Sequence, residues 1–315
     1  MTLIHKVLTK ITQKPRLYSL LLLPYYFSRF ILISIREKSL WFYRYPPGHH
    51  GSTIPSQRDI NCRRDELFEK NSVGRDGIEL NTRRQLELLE TFSSIGSGIK
   101  LNHDMVPECR YYYGNQLFRL SDALILGCFL KYLQPKNIIE VGSGFSSALM
   151  LDFRESGLKT NLTFIEPYPG NLRRLLRASD NQYCRIIEEF VQDVPLKEFE
   201  KLNQNDILFI DSSHVIKIGS DLSTLFFTIL PGLKPGVVIH IHDIIWPFEY
   251  RESMIREGRI WNEIYLVRSF LQFNDSFEIL YFSSYIEQEH RQSLIQSLPN
   301  YTEYTGASLW LRKKL

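Results

Sequence analysis

The feature that most constrains this chain is a series of short apolar runs, each closed by polar or glycine residues. Ile207–Ile210 (ILFI) ends at Asp211, and residues 237–241 (VVIHI) end at His242 and Asp243. Asn137–Val141 ends at Gly142-Ser143-Gly144, and residues 162–165 end at Glu166. Runs this short and this continuously apolar fit strands buried on both faces, which is the habit of a parallel sheet covered by helices. Helical patterns fall between them, at residues 146–153, 171–177, 221–230 and 262–273. A weaker strand at 185–187 and late strands at Phe277–Phe282 and 307–311 bring the set to seven. The expected fold is therefore α/β: a Rossmann-like, doubly wound, mainly parallel seven-stranded sheet with helices on both faces. Two helices precede it, at 83–93 and 121–133; Ser121 or Asp122 is placed to cap the second, and Pro135 to end it.

Charge divides the chain. The net charge is +3, but residues 1–45 carry +7 and the remainder −4. In residues 3–11 the apolar side chains repeat at helical spacing while Lys6, Lys10 and Lys14 share another face, the pattern of a membrane-surface helix. An apolar run follows at 17–35, interrupted by Pro24, Arg29 and a Tyr25-Tyr26 pair. A charge near the centre of a span costs about 2.5–3.5 kcal/mol, which argues against crossing. Three readings of this N-terminal helical extension stand side by side: peripheral attachment to an anionic membrane face, packing on the body or a partner subunit, and a true span. The turn-rich stretch Tyr45-Pro46-Pro47-Gly48-His49-His50-Gly51 closes it. The expected organisation is a basic helical segment at 1–45, a cap region at 46–120 and a catalytic core at 121–315. Four scattered cysteines with no C-x-x-C pair exclude a disulfide scaffold or a zinc ribbon and fit a cytoplasmic, reducing location. That location includes association with the inner face of the membrane through residues 1–45. The acidic body has no basic stripe, which excludes a nucleic-acid substrate class. The sequence allows a homo-oligomer without specifying one.

In an open α/β sheet, ligands bind beyond the carboxyl ends of the strands. Those ends here carry Glu140 with Gly142, Ser143 and Gly144, then Glu166, then Asp211 with His214, then His242 with Asp243. Glycines after the first strand allow a sharp turn and close approach to a ligand. Glu166, further along, is placed to accept hydrogen bonds from both hydroxyls of a ribose. A nicotinamide dinucleotide prefers a third glycine where this chain has Ser147, and the Tyr132–Lys136 pair precedes the first strand and contains Pro135. An acid two residues before the first glycine instead suits a cofactor with positive groups, such as S-adenosylmethionine. A glycine turn with no ligand remains an alternative at this point.

The runs Glu140-Val141-Gly142-Ser143-Gly144-Phe145-Ser146-Ser147 and Phe164-Ile165-Glu166-Pro167-Tyr168-Pro169 resemble class I S-adenosylmethionine-dependent methyltransferases. Phe209-Ile210-Asp211-Ser212-Ser213-His214 and Ile239-His240-Ile241-His242-Asp243 resemble the branch holding antibiotic-sugar and rhamnosyl O-methyltransferases and proteins labelled cephalosporin hydroxylase. Pro-Pro-Gly-His, Arg-Tyr-Tyr, Asp-Ser-Ser-His and Trp-Asn-Glu runs are similar to an uncharacterised bacterial group associated with glycan genes. The resemblance spans about residues 45–312 and leaves the basic segment outside.

The resemblance implies that Glu140, Gly142, Ser143 and Gly144 line the methionine part of the cofactor, that Glu166 binds its ribose, and that Asp193 sits near the adenine. It implies that Asp211 and an acidic pair at 242–243 hold Mg²⁺, and that His214 is the base. His242 stands where an acid is expected, and Mg²⁺ prefers oxygen ligands. Asp211, His242 and Asp243 are the candidate metal set. Independently of the resemblance, an ordinary histidine pKa near 6.5 suits general base work at His214. Asp211 and Asp243 should end neighbouring strands about 5 Å apart, so a cation between them or a pKa split is expected; bonds to loop amides are the plainer alternative. His49, Arg110, Tyr111 to Tyr113 (Tyr112 above all), residues 246–251 with Trp246 and Glu249, and Trp261-Asn262-Glu263 mix aromatic and polar groups in the way a sugar site does, although aromatic runs are also core. The expected function is O-methylation of a saccharide or glycolipid-like hydroxyl. The competing expectation is a binding protein that keeps the methyltransferase fold without the chemistry, or a hydroxylase-labelled relative.

Overall fold

The structure is a computed structural model describing Pro24, Ser28, Ile31, Tyr45 and residues 48–68, 77–115, 117–301 and 306–314. The amphipathic helix at 3–11 lies outside the described residues, as does the apolar run at 17–35 apart from Pro24, Ser28 and Ile31. No helix among the described residues is long and apolar enough to cross a membrane. The backbone divides into two compact units, residues 1–69 and 70–315.

In the first unit, α1 (Gln57–Cys62) starts at Ser56, whose Oγ accepts from the Asp59 N–H at 2.9 Å. That is a side-chain N-cap. α2 (Arg64–Phe68) follows directly. Before them, the rings of Tyr45, His49 and His50 pack in series, with centroids 4.9 and 4.1 Å apart.

The second unit holds one seven-stranded sheet. Its strands are β1 (Asn137–Val141), β2 (Asn161–Ile165), β3 (Cys184–Ile187), β4 (Ile207–Ile210), β5 (Val238–Ile241), β6 (Phe277–Phe282) and β7 (Leu309–Lys313). Their order across the sheet is β3-β2-β1-β4-β5-β7-β6. β1 to β5 are mutually parallel, while β7 is antiparallel to both β5 and β6. The sheet is thus the expected Rossmann-like one, with its direction of winding reversing between β1 and β4. Every residue of β4 and β5 is buried, so both faces are covered.

Helices α3 (Thr82–Gly96), α4 (Leu120–Leu133) and α5 (Phe145–Glu155) stack in sequence, α3 on β6 and α4, and α4 on α5. α4 is apolar all round and 12 of its 14 residues are buried, the mark of a helix enclosed by neighbours rather than laid on a surface. Its Phe129 ring stacks on Trp310 of β7 at 3.9 Å. Ser121 and Asp122 are not its caps: the helix begins at Leu120, and Asp122 instead reaches the two residues just before β7, accepting from the Ala307 N–H at 3.0 Å and the Ser308 hydroxyl at 2.6 Å. α6 (Gly170–Leu175) follows β2. After β4, α7 (Asp221–Thr224) widens into a π-turn (Leu225–Ile229) and closes as α8 (Leu230–Gly232). Then come α9 (Glu252–Arg256), α10 (Glu263–Leu271), α11 (Ser283–Glu289) and α12 (Arg291–Ser297).

Two buried polar groups fix this frame away from the strand carboxyl ends. Asp206 accepts from the backbone N–H groups of Lys136, Asn137 and Asn203 at 2.8–2.9 Å, locking the start of β1 to β4. Arg110 is a hub. Its guanidinium, only 3% exposed, pairs with Asp152, Glu155 and Asp180 at 2.7–3.0 Å and donates to the Leu175 carbonyl. Expecting Arg110 to contact substrate is therefore incorrect. Its donors are consumed in joining α5 to the turn after α6. Removing one partner from a buried ion cluster strands the others, at a cost of about 3–5 kcal/mol. Arg110→Met should lower stability by that order in urea denaturation.

Candidate functional site

The site forms where β1 and β4 part. Gly142 has φ +82, and a Cβ there would come within 1.7 Å of the Asp211 carbonyl oxygen. Only glycine fits, because both the dihedral and the contact exclude a side chain. Its N–H donates to Ile165 O, and the Asp211 N–H donates to Val141 O at 2.9 Å, so the ends of β1, β2 and β4 are tied together. Glu166 then gathers the loop: Oε2 accepts from the Ser143 N–H at 3.3 Å and Oε1 from the Tyr168 N–H at 2.9 Å. Gly144 differs from Gly142. A Cβ on it would meet nothing within 4 Å, because it borders open space.

Glu140 is completely buried and is not part of the cavity wall. It accepts from the hydroxyls of Ser146 and Ser147, and Ser147 Oγ accepts in turn from the Gly144 N–H at 3.0 Å. The serine that replaces the third glycine of a dinucleotide motif thus clamps the loop to the strand. Burial pushes the Glu140 carboxyl up to about 8, against the pull of the two serines. Expecting Glu140 to line the ligand directly is therefore corrected: it holds the loop that does.

Two adjoining cavities share Gly142, Glu166 and Asp211. The smaller, about 450 Å³, is walled by Tyr168, Phe190, Val191, Gln192, Ser212 and Asp221 among others. Tyr168 and Phe190 meet edge to face at 6.0 Å and are well exposed. Asp193 is exposed at the end of the same 3-10 turn, and Val191 and Gln192 stand on the wall in its place. The larger cavity, about 740 Å³, adds Ser143, Gly144, Phe145, Asp122, His242, Asp243, Trp261 and three arginines, Arg119, Arg251 and Arg259. The Ser143 and Ser212 hydroxyls and His242 Nδ1 are buried with no hydrogen-bond partner among the described residues. Unsatisfied polar atoms on a cavity wall are groups ready for a ligand.

His214 stands among three carboxylates. Its Nδ1 lies 2.8 Å from Glu263, and its Nε2 lies 3.4 Å from Asp211 and 3.8 Å from Asp243. Trp261 packs on the imidazole at 4.3 Å, and the backbone N–H groups of Asn262 and Glu263 both donate to the His214 carbonyl. His214 and Asp243 both have positive φ, at 59° and 57°. Strained non-glycine backbone of this kind gathers at functional positions. Burial opposes charge on His214, but Asp211 and Glu263 outweigh it and push its pKa up to about 10. Burial likewise works against ionised Asp211, while His242 and His214 hold it at about 2. Burial pushes Glu263 upward, against the pull of His214. The carboxylates around His214 therefore raise its pKa above the ordinary value near 6.5 and favour the protonated ring.

The same geometry bears on the candidate metal set. Among the described residues, no three histidine, cysteine or carboxylate side chains form a group that could hold a metal ion. His214 Nε2 lies within ion-pair range of both Asp211 and Asp243, and His242 adds nitrogen rather than oxygen to the expected set.

The expected substrate residues separate from the cavity. His49 belongs to the first unit, with Nδ1 accepting from the Gly51 N–H at 3.0 Å. Tyr112 stands edge-on behind Phe145 at 5.3 Å. Trp246 lies in an aromatic cluster with Phe248, Phe282 and Tyr285. Glu249 accepts from the Tyr265 hydroxyl, and both ends of the Asn262 amide are spent on Ile216 backbone. Tyr112, Trp246, Glu249 and Asn262 line neither cavity of the second unit. Arg119 and Arg259, which do line it, carried no sequence signal. The role of Glu263 against His214 was hidden by a separation of 49 residues.

Residues 139–244 match a family described as Methyltransferase domain. A protein of Archaeoglobus fulgidus named only "Uncharacterized protein" is 37% identical over 172 residues, covering 52% of this chain and 76% of that one. Among solved structures, an O-methyltransferase from Bacillus cereus in complex with SAH aligns at 13% identity and a TM-score of 0.38, over 81% of this chain and 97% of that one. The O-methyltransferase TomG from Streptomyces achromogenes, solved with SAM, aligns at 12% identity and a TM-score of 0.38, over 82% and 97%. Superpositions this loose leave the fold to be read from the strand order itself.

The charge on His214 sets a pH dependence. At pH below about 6.5 the ring is protonated folded or unfolded, and the folded chain keeps the full benefit of its carboxylate neighbours. As pH rises through about 10 the folded state loses that proton and the benefit with it. The thermal midpoint should fall across this window, and His214→Gln should flatten the slope in melts recorded at successive pH values.

Proposed function

The chain belongs to the same family as the Archaeoglobus fulgidus protein and carries a methyltransferase domain, and from that premise we propose that it is an S-adenosylmethionine-dependent O-methyltransferase acting on a saccharide or glycolipid-like hydroxyl. The observation that carries this reading is the cavity pair itself: a glycine loop open at Gly144, an acid at the end of β2, and a wall of Asp211, Asp243 and Trp261 with His214 packed against all three.

The residues suit the cofactor. Glu166 accepts from ribose hydroxyls while its other contacts hold the loop. Tyr168, Phe190 and Val191 offer the flat, largely apolar faces an adenine requires. The Ser143 hydroxyl, without a partner among the described residues, and the carboxylate of Asp211 face a region suited to a cationic amino-acid portion. When bound, S-adenosylmethionine supplies an activated methyl group, so the protein's tasks are alignment and proton removal.

His214 performs the second task. Asp211 faces both its imidazole and the cavity, and a positive group against Asp211 weakens its hold on the Nε2 proton. The imidazole pKa then falls and Nε2 is freed, while Nδ1–H remains on Glu263. As the acceptor oxygen gains its methyl group, its proton passes to Nε2, and Glu263 and Asp243 stabilise the imidazolium that results. Glu263 is a positioning residue in this scheme, fixing the tautomer and the tilt of the ring. The basic segment at 1–45 serves as a tether to an anionic membrane face that brings the enzyme to a membrane-borne acceptor. The same proposal assigns residues 46–120 as a cap and 121–315 as the catalytic core.

Calorimetric titration tests the reading. Wild-type protein should bind S-adenosylhomocysteine in the micromolar range, and Glu166→Ala should weaken it by about 10- to 100-fold, the worth of charge-assisted hydrogen bonds. A wild-type protein with no affinity at high micromolar ligand would end the proposal.

A further inference from the structure

The larger cavity is electrically divided. Its acids are already answered. Asp211 and Asp243 face His214, Asp122 is held by Ala307 and Ser308, and Glu257 pairs with Arg259. Of the three arginines on the wall, Arg259 is thus committed to Glu257, and its guanidinium lies 5.7 Å from the ring of Trp261, which itself packs on His214. Arg251 is different. It lines the cavity and has neither an ion pair nor a side-chain hydrogen bond among the described residues. The lobe beyond the glycine loop therefore presents a guanidinium that no carboxylate of the second unit's described residues neutralises, on a wall that also carries the ring packed on the base.

We propose that Arg251 reads an anionic group, a carboxylate or a phosphate, on the acceptor that occupies this lobe. The inference rests on the methyltransferase reading for the word acceptor, but the binding site itself stands on the cavity and its charges. Guanidinium and carboxylate or phosphate match through two parallel N–H···O bonds, so Arg251 fixes orientation as well as affinity. The positions divide the labour. Glu166 and Asp211 stand beside the glycine loop, where a cationic cofactor is proposed, and Arg251 supplies the cation for an anionic acceptor. An acidic saccharide held at Arg251 shares its cavity with Asp211, Asp243 and Trp261, the residues against which His214 packs.

The test uses the full chain, with and without saturating S-adenosylhomocysteine. Three probes are titrated by calorimetry: D-glucuronate, α-D-glucose 1-phosphate and D-glucose. At least one anionic sugar should bind about tenfold or more tightly than D-glucose, and which one does so separates carboxylate from phosphate. Arg251→Gln should reduce that sugar to the D-glucose level and leave S-adenosylhomocysteine affinity unchanged, whereas Arg83→Gln, outside the cavity, should change neither. Anionic sugars that bind no better than D-glucose, with none binding included, overturn the inference. So does a preference that survives Arg251→Gln. Loss of S-adenosylhomocysteine binding in the wild type, with the Arg251-dependent preference intact, would overturn the methyltransferase reading and leave the anion site standing.

Discussion

The structure turns on one backbone contact. Gly142 lies so close to the Asp211 carbonyl that no Cβ fits between them. This contact holds the ends of β1 and β4 together at the point where the chain winds outward in both directions. From it follow the path of the Ser143–Gly144 loop, the position of Glu166 at the end of β2, and the presentation of Asp211 to two cavities at once. The fold supplies a common crevice, and this contact sets its width.

Charge then decides what the crevice can do. Buried ions need partners, and here the partners are arranged around one imidazole. Asp211, Asp243 and Glu263 come from β4, β5 and α10, three elements that meet only in the folded chain. Their convergence holds a proton on His214 that an isolated histidine would release near neutrality.

Much of this was legible in the sequence because burial on both faces leaves an unmistakable signature. ILFI, VIHI and the run at 137–141 read as strands because they are short, rich in β-branched residues and closed at once by glycine or polar residues. The glycine loop, Glu166, Asp211 and His214 were legible because they sit at fixed places after those strands. Two kinds of feature were not. Contacts between residues far apart in sequence, such as His214 with Glu263, leave no local trace. Residues such as Arg110 and Asn262 have the composition of a sugar site but spend their polar groups on internal bonds. A sequence shows which groups are present and conceals which are already taken. The reverse error hid Arg119 and Arg259, whose exposed, unremarkable positions gave no reason to single them out.

The placement of β7 has a consequence for how the chain reaches this state. β6 touches the sheet only through β7, and β7 lies between β5 and β6. β5 therefore keeps an open hydrogen-bonding edge until a strand some seventy residues later arrives, and β6 cannot dock ahead of it. Asp122 secures Ala307 and Ser308 just ahead of β7. Until β7 arrives the β5 edge is a bare template for any other extended chain, and the protein's window of vulnerability to misassembly is the time that β7 takes to pair with it.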